Sequence, residues 1–273
     1  MSVWLDNQKP VIRMKDKAEW VNHCISHFGE EKAQRKFWDK SFYVAERVWN
    51  ISLKNTFFPP ANPSDFFRLA LNNSPKDLAL LPYMLRSVAQ VARSCGITED
   101  RFYRFLNEQL IITAQAGATQ TPFIFGAAAI CYPNSSNFYV PGGLIEMAFT
   151  CLDHLESNHG QWLNKQKVVQ INQYKQGYRI RTDRRLEVQA PIVISNIPLW
   201  NMPDITDGEM RDYFKKESAK YSEAWGAFTM GIALSDTLAE ELSLHHQFHL
   251  NEGHPYSDWI ARSFFVSISM RGD

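Results

Sequence analysis

Up to Gly160 the apolar side chains recur at intervals of three and four, the period of one helix face; beyond it the period shortens to two. Trp20, Val21, Cys24 and Phe28 predict a helix from Asp16 to Phe28 that Gly29 closes. Phe37, Trp38, Phe42, Val44, Ala45, Val48 and Trp49 mark the apolar face of a longer helix from Glu30 to about Leu53. Ahead of both, Val3-Trp4-Leu5 and Pro10 to Met14 flank a polar run and predict a β-hairpin. Phe57 to Pro63, interrupted by Pro59 and Pro60, predicts a loop. Ser64-Asp65 opens a helix through Leu71, and the apolar run from Leu78 to Val91 reads as continued helix packing.

The chain is organised around the stretch from Thr98 to Leu155. Thr98, Glu99 and Asp100 supply capping oxygens and acid at the positive end of a helix dipole. Phe102, Phe105, Leu106, Gln109 and Leu110 follow at helical spacing. Pro122 to Cys131 predicts a second helix, in which Gly126 lets another element approach the backbone. Phe138-Tyr139-Val140 reads as a short strand that breaks at Pro141-Gly142-Gly143 and opens a third helix with Leu144, Ile145, Phe149, Leu152 and Leu155. That junction has two readings. It is an ordinary turn, or it is a place where a ligand comes close to backbone at a helix N-terminus, whose first N–H groups have no partner within the helix.

In the second half, Lys167 to Asn172, Tyr178 to Thr182 and Leu186 to Val188 predict three short strands. Pro191 to Asn196 is continuously apolar and predicts a strand buried on both faces, as in a parallel sheet. Asp207 to Tyr221 predicts a helix; Ala227 to Leu234, His245 to Leu250 and Phe264 to Met270 predict strands. The whole pattern predicts an α+β fold.

Charge narrows the function classes. The 29 basic and 29 acidic residues cancel, which argues against nucleic acid as a partner, since phosphate contacts need a cationic excess. The 18 Phe and 8 Trp exceed an average core's needs and fit an apolar cavity or a membrane-facing patch, or else an aromatic-rich core. Phe57, Phe58, Phe66 and Phe67, with the Leu78–Val91 run, are a candidate peripheral membrane contact around a tunnel mouth. Cys24, Cys95, Cys131 and Cys151 are scattered without a CxxC, the pattern of free thiols in a reducing compartment. No apolar run reaches the ~18 residues of a membrane span, and the chain opens on a polar stretch without a signal-peptide pattern. The expected location is the cytoplasm, peripheral to a membrane.

Self-contained catalytic sets are missing from the sequence: there is no GxGxxG, no P-loop and no GxSxG. His245, His246, His249 and His254 cluster, but side chains alternate along a strand and no carboxylate or Cys completes a zinc set, so no metal site is expected. Asp153 and Glu156 fall on the exposed side of their helix and carry no paired-carboxylate chemistry.

An ordered series of segments does carry a signal: RFYRFLNEQLIITAQ, FGAAAI, YVPGGLIEMAFTCLDHL, VVQI, APIVISN and FFVSISMRGD. The series resembles the FAD-dependent carotenoid desaturases and isomerases, the phytoene desaturase-like branch of the amine-oxidase superfamily. The resemblance extends over roughly residues 3–273. It implies an α/β-type FAD-dependent oxidoreductase fragment: a helix-rich substrate domain plus a mixed β-sheet and an incomplete FAD-binding domain. Residues 1–160 would be the substrate-binding region, 161–200 the strands returning to the partial FAD-binding domain, and 201–273 substrate-domain sheet strands. Gly142 and Gly143 then match the family's glycine pair, Val168 and Ile171 its Val-x-x-Ile strand against the FAD adenine, and Asn196, with Ala190, Val193 and Ile194, its returning strand. Ser267, Ser269 and Asp273 match the strand before the C-terminal FAD segment. The resemblance places Phe105, Gln109, Gln115, Phe125 and Tyr139 on the substrate side.

The family's GxGxxG unit, which grips the pyrophosphate at a helix N-terminus, has no counterpart in these residues. The expectation is therefore an internal portion of such an enzyme that binds FAD poorly alone and acts on a long apolar, carotenoid- or isoprenoid-like substrate by desaturation, isomerisation or saturation. The alternative is a non-catalytic module, or inactive remnant, that binds hydrophobic ligands or a membrane surface.

Overall fold

The computed structural model describes residues 1–5, 9–55, 60, 62–74, 77, 79–134, 140–221, 228–233, 245–249 and 263–268. They form an α+β structure divided into two compact units: Met1–Pro141 with Ser235–Asp273, and Gly142–Leu234. The expected third region, 201–273, is thus shared between the two.

The first unit opens with strands β1 (Ser2–Trp4) and β2 (Val11–Ile12), the predicted hairpin. Helix α1 (Lys17–Phe28) begins where Asp16 accepts the N–H groups of Ala18 and Glu19, and it ends at Gly29, whose φ of +69° suits glycine. Helix α2 (Glu31–Lys54) follows at once. Helix α3 (Pro63–Asn72) is capped by Asn62. Leu78 to Val91 is not one helix. A 3-10 turn spans Leu81–Met84, and Ser87 and Gln90 then form a reciprocal capping box that starts α4 (Val88–Cys95). The sequence signal for that break was SVAQ, a cap followed three residues later by Gln. Helices α5 (Asp100–Ala114) and α6 (Phe123–Cys131) complete the bundle, with Glu99 capping α5.

Burial explains why these helices pack. Trp20, Trp38, Phe37, Phe102, Phe105 and Phe123 are fully buried. Their rings meet edge to face, as in Trp20–Trp38 at 5.2 Å and 80° or Phe37–Phe102 at 5.5 Å and 89°, the geometry that aromatic quadrupoles favour. Gly126 fulfils its expected role: a Cβ there would stand 2.2 Å from Val88 Cγ2, so only glycine lets α4 and α6 approach so closely. Part of the aromatic load thus resides in a packed core, while Trp49, Phe66, Phe67, Phe149 and Trp162, among others, are exposed.

Strands β6 (His245–His249) and β7 (Ser263–Ser267) return to this unit late in the chain. They complete a mixed sheet in the order β2-β1-β6-β7, in which β1 and β6 run parallel, with Ser2 opposite His246 and Trp4 opposite Phe248. Trp4, Phe248 and Phe264 stack across the strands, with ring centroids 5.7 and 4.9 Å apart.

The second unit holds α7 (Ile145–Ser157) and the strands β3 (Val168–Tyr174), β4 (Gly177–Thr182) and β5 (Glu187–Ala190), which form an antiparallel sheet in chain order. A short helix α8 (Met202–Ile205) packs on β3, and α9 (Gly208–Ser218) packs on α8. Pro191 to Asn196 is not the buried strand its apolar run predicts. Pro191 has no N–H to extend the ladder past Ala190, and Ile192 and Ile194 are 74% and 92% exposed. Residues 228–233 likewise form no strand. Among the described residues, no helix is long and apolar enough to cross a membrane.

Candidate functional site

All four residues assigned to the cofactor side, Gly142, Gly143, Val168 and Asn196, belong to the Gly142–Leu234 unit. Gly142 and Gly143 both have φ +84°, a conformation that side chains disfavour, and they lead directly into α7. A Cβ at Gly142 would meet Glu146 Cγ at 2.8 Å, whereas one at Gly143 would meet nothing within 4 Å. Glu146 occupies the first turn of α7, where an acid complements the dipole. Its carboxylate beside the glycine pair disfavours an anion at this helix start. Val168 starts β3 half-buried, and Asn196 is exposed in the segment after β5.

The substrate-side residues belong to the other unit. Phe105 is fully buried between Trp20, Phe28 and Phe102. Phe125 packs half-buried against the same core. Gln115 is exposed and closes α5 at φ +52°. Gln109 is buried and donates to Gln247 Oε1 at 3.3 Å. Phe57, Phe58, Phe138, Tyr139, His254, Ser269 and Asp273 lie outside the described residues.

Gln109 leads to a polar cluster that sequence reading missed. Glu108 is fully buried on α5. Its Oε1 accepts from His249 Nδ1 at 2.6 Å and from Ser263 Oγ at 2.6 Å; its Oε2 accepts from Gln247 Nε2 at 2.6 Å and from Ser263 Oγ at 2.7 Å. A carboxylate accepts only, so Nδ1 carries the imidazole hydrogen. Ser263 donates to Glu108 rather than to His249, so the wiring is not that of a hydroxyl activated by a base. The cluster fastens β6 and β7 to α5. Its signal in the sequence was an acid three residues after Phe105, inside an otherwise apolar helix stripe. Among the four clustered histidines, His246 turns to Trp4 and His249 to Glu108, as alternation requires. No group of three or more potential metal ligands occurs among the described residues.

A second buried charge was also missed. Arg13 follows Val11 by two along the first hairpin, so alternation turns it inward with Val11. Its guanidinium stacks on Trp20 at 3.9 Å, and Nη2 donates to Ile130 O at 2.7 Å and Asn134 Oδ1 at 3.2 Å. Burial lowers its pKa to about 10, partly offset by Cys24, Cys131 and Tyr132, so it stays a cation at neutral pH. Burial raises the Cys24 and Cys131 thiols, Cys131 to about 12, and both stay protonated.

Cavities open among the described residues of this helical unit. One, about 510 Å³, is polar and lies beside the 2.7 Å ion pair of Arg47 and Asp77. Burial disfavours the Asp77 charge, but bonds from Arg47 and Ser74 outweigh it and hold the carboxyl below its usual pKa. A second cavity of about 250 Å³ lies among Lys17, Phe42, Trp49 and Asn134. The third is apolar, about 50 Å³, between Ile51, Phe66, Leu80, Leu81 and Met84. None of the residues assigned to the cofactor or substrate side lines these cavities, whereas Phe66, from the candidate membrane contact, lines the third. Compared with known proteins, the chain matches no family model and no curated protein.

Proposed function

We propose that this chain is the substrate-side portion of a flavin-dependent oxidoreductase that acts on a long apolar, carotenoid- or isoprenoid-like molecule by desaturation, isomerisation or saturation. One observation carries the reading. The residues that the resemblance assigns to the cofactor, Gly142, Gly143, Val168 and Asn196, fall in one compact unit, and those it assigns to the substrate, Phe105, Gln109, Gln115 and Phe125, in the other. FAD, when bound, would supply hydride acceptance or donation, and the protein's part is orientation and exclusion of water. Gly142 and Gly143, both at φ +84°, turn the chain into α7. The exposed Ile192, Ile194, Ile197 and Trp200 of the same unit offer apolar surface for an uncharged ring or for further protein.

The test is a flavin-fluorescence titration of the purified chain with FAD. Weak saturable quenching is expected, because no GxGxxG is present to hold the phosphates. Gly143→Val, whose Cβ would meet nothing within 4 Å but which is strained by the positive φ at a cost of about 1–2 kcal/mol, should weaken that binding while far-UV circular dichroism stays native. Absence of saturable quenching by the wild type sinks the flavin assignment.

A second reading, a membrane-surface or hydrophobic-ligand module, draws on the apolar cavity. Its rim exposes Phe66 and Leu81, and Phe67, Leu71 and Leu85 are exposed nearby in sequence. At about 50 Å³ it admits the end of a chain and no more. It therefore favours surface contact over a tunnel. Liposome co-sedimentation that is lost in Phe66→Ser with Phe67→Ser would favour this reading.

A further inference from the structure

The core around Arg13 holds more hydrogen-bond donors than acceptors. Arg13 Nε and Nη1, Trp20 Nε1 and Gln34 Nε2 are all buried without a partner. Gln34 cannot relieve this by turning its amide, because its oxygen accepts from Trp38 Nε1 at 3.1 Å. The guanidinium is 3.9 Å from the Trp20 ring centre and 5.8 Å from that of Trp38, so the orphaned donors share one region. The titratable groups that bear on Arg13 are Cys24, Cys131 and Tyr132, with no carboxylate among them, and burial keeps both thiols protonated. An unpaired buried cation is costly, and native cores pair or neutralise it.

Next to this cation lies the cavity of about 250 Å³. Two of its lining residues, Cys131 and Asn134, are immediate neighbours of Arg13: Asn134 Oδ1 accepts from Nη2, and Cys131 is close enough to raise the guanidinium pKa. Lys17 also lines the cavity, with Nζ 5.1 Å from the Phe42 ring centre. Phe42, Ala45 and Trp49 supply an apolar wall. Glu46 is the acid among the lining residues; it and Lys17 are both exposed, so water screens each, whereas the field of Arg13 passes through protein.

We propose that this cavity binds a small organic carboxylate, its anionic head at Lys17 with the Arg13 cation behind the wall, and its apolar body against Phe42 and Trp49; Asn134, whose amide is spent on Arg13 and on the Met14 and Lys15 carbonyls, links that wall to the guanidinium. The proposal does not depend on the flavin reading and concerns a different part of the molecule.

The test uses the full 273-residue chain and two probes that differ in charge, phenylacetate and phenylacetamide, followed by tryptophan fluorescence and thermal midpoint. Phenylacetate should bind saturably and about tenfold or more tighter than the amide, the ratio that charge-assisted hydrogen bonds supply. Lys17→Met should weaken it about fivefold or more. Equal affinity for the two probes, unchanged affinity in Lys17→Met, or failure of phenylacetate to saturate overturns the site. Arg13→Met addresses the buried cation. If that variant does not fold, Asn134→Leu removes the link between the guanidinium and the cavity wall instead. Wild-type discrimination between the probes in whichever variant folds overturns the part given to Arg13.

Discussion

The two units spend similar side chains in opposite ways. In the helical unit the large aromatics are interior: Trp20, Trp38, Phe37, Phe102, Phe105 and Phe123 are fully buried. In the Gly142–Leu234 unit, Ile171 and Met202 are buried, while Leu144, Ile192, Ile194 and Phe228 stand 74–92% exposed. Helix α7 has no buried residue along its whole length. Apolar content alone therefore does not measure a core. What matters is whether a second layer covers each apolar face, and one unit has that layer while the other leaves its apolar surface open.

The comparison breaks most easily at Phe102. Phe102→Ala should cost about 3–5 kcal/mol in urea denaturation followed by tryptophan fluorescence, the range for emptying an aromatic core site. A loss below about 1 kcal/mol would mean that this core is less closely packed than its geometry indicates.

Glu108→Ala comes next, at about 3 kcal/mol, because Gln247, His249 and Ser263 would each lose an acceptor in a buried site. Glu108→Gln should recover part of this loss. Hydrogen exchange of β6 and β7 amides should rise in both variants if the carboxylate fastens those strands to α5.

A smaller effect concerns pH. His23 is held below its ordinary value of 6.5 by burial, and His27 by burial, then by His23 and by Arg101. The folded protein thus binds fewer protons than the unfolded chain in the window below pH 6.5. Their contribution to stability is complete above 6.5 and is lost as pH falls through the lower folded values. The structural cause is visible: His23 Nε2 accepts the Ile12 N–H at 3.0 Å, a bond that protonation removes, and the two rings lie 4.3 Å apart. His23→Gln should flatten the thermal midpoint between pH 7 and 5; an unchanged slope would remove these histidines from the account.

The smallest effect sharpens the contrast. Ile194→Ser, at a side chain 92% exposed, should change stability by no more than about 0.5 kcal/mol. A cost near that of Phe102→Ala would show that the open unit is covered after all.

The helices were legible because their signals are local. Asp16 and Glu99 cap where polar oxygens precede apolar periodicity, and Gly29 stops α1 as its position predicts, whereas α3 is capped by Asn62, ahead of its expected start at Ser64-Asp65. The β3–β4–β5 meander was legible through its turns. Pro191 to Asn196 misled because an uninterrupted apolar run says nothing about whether neighbours exist to bury it. The Glu108 cluster was illegible as a group for a different reason. Its members come from α5, β6 and β7, so only tertiary packing brings them to one carboxylate. Arg13 was readable from strand alternation, but its missing acceptors were not.

Strand β1 lies between β2 and β6, and the Trp4 indole bonds to His246, 242 positions further along the chain. At ribosomal rates of roughly 5–20 residues per second, that partner emerges on the order of 10–50 s after the hairpin does. The helices can coalesce in the meantime, but one side of β1 must wait with its amides unmatched, and the entire second unit is translated in the interval. Closure of this sheet is consequently a late event of biogenesis, and the nascent hairpin is the place where a chaperone would do most to prevent mispairing.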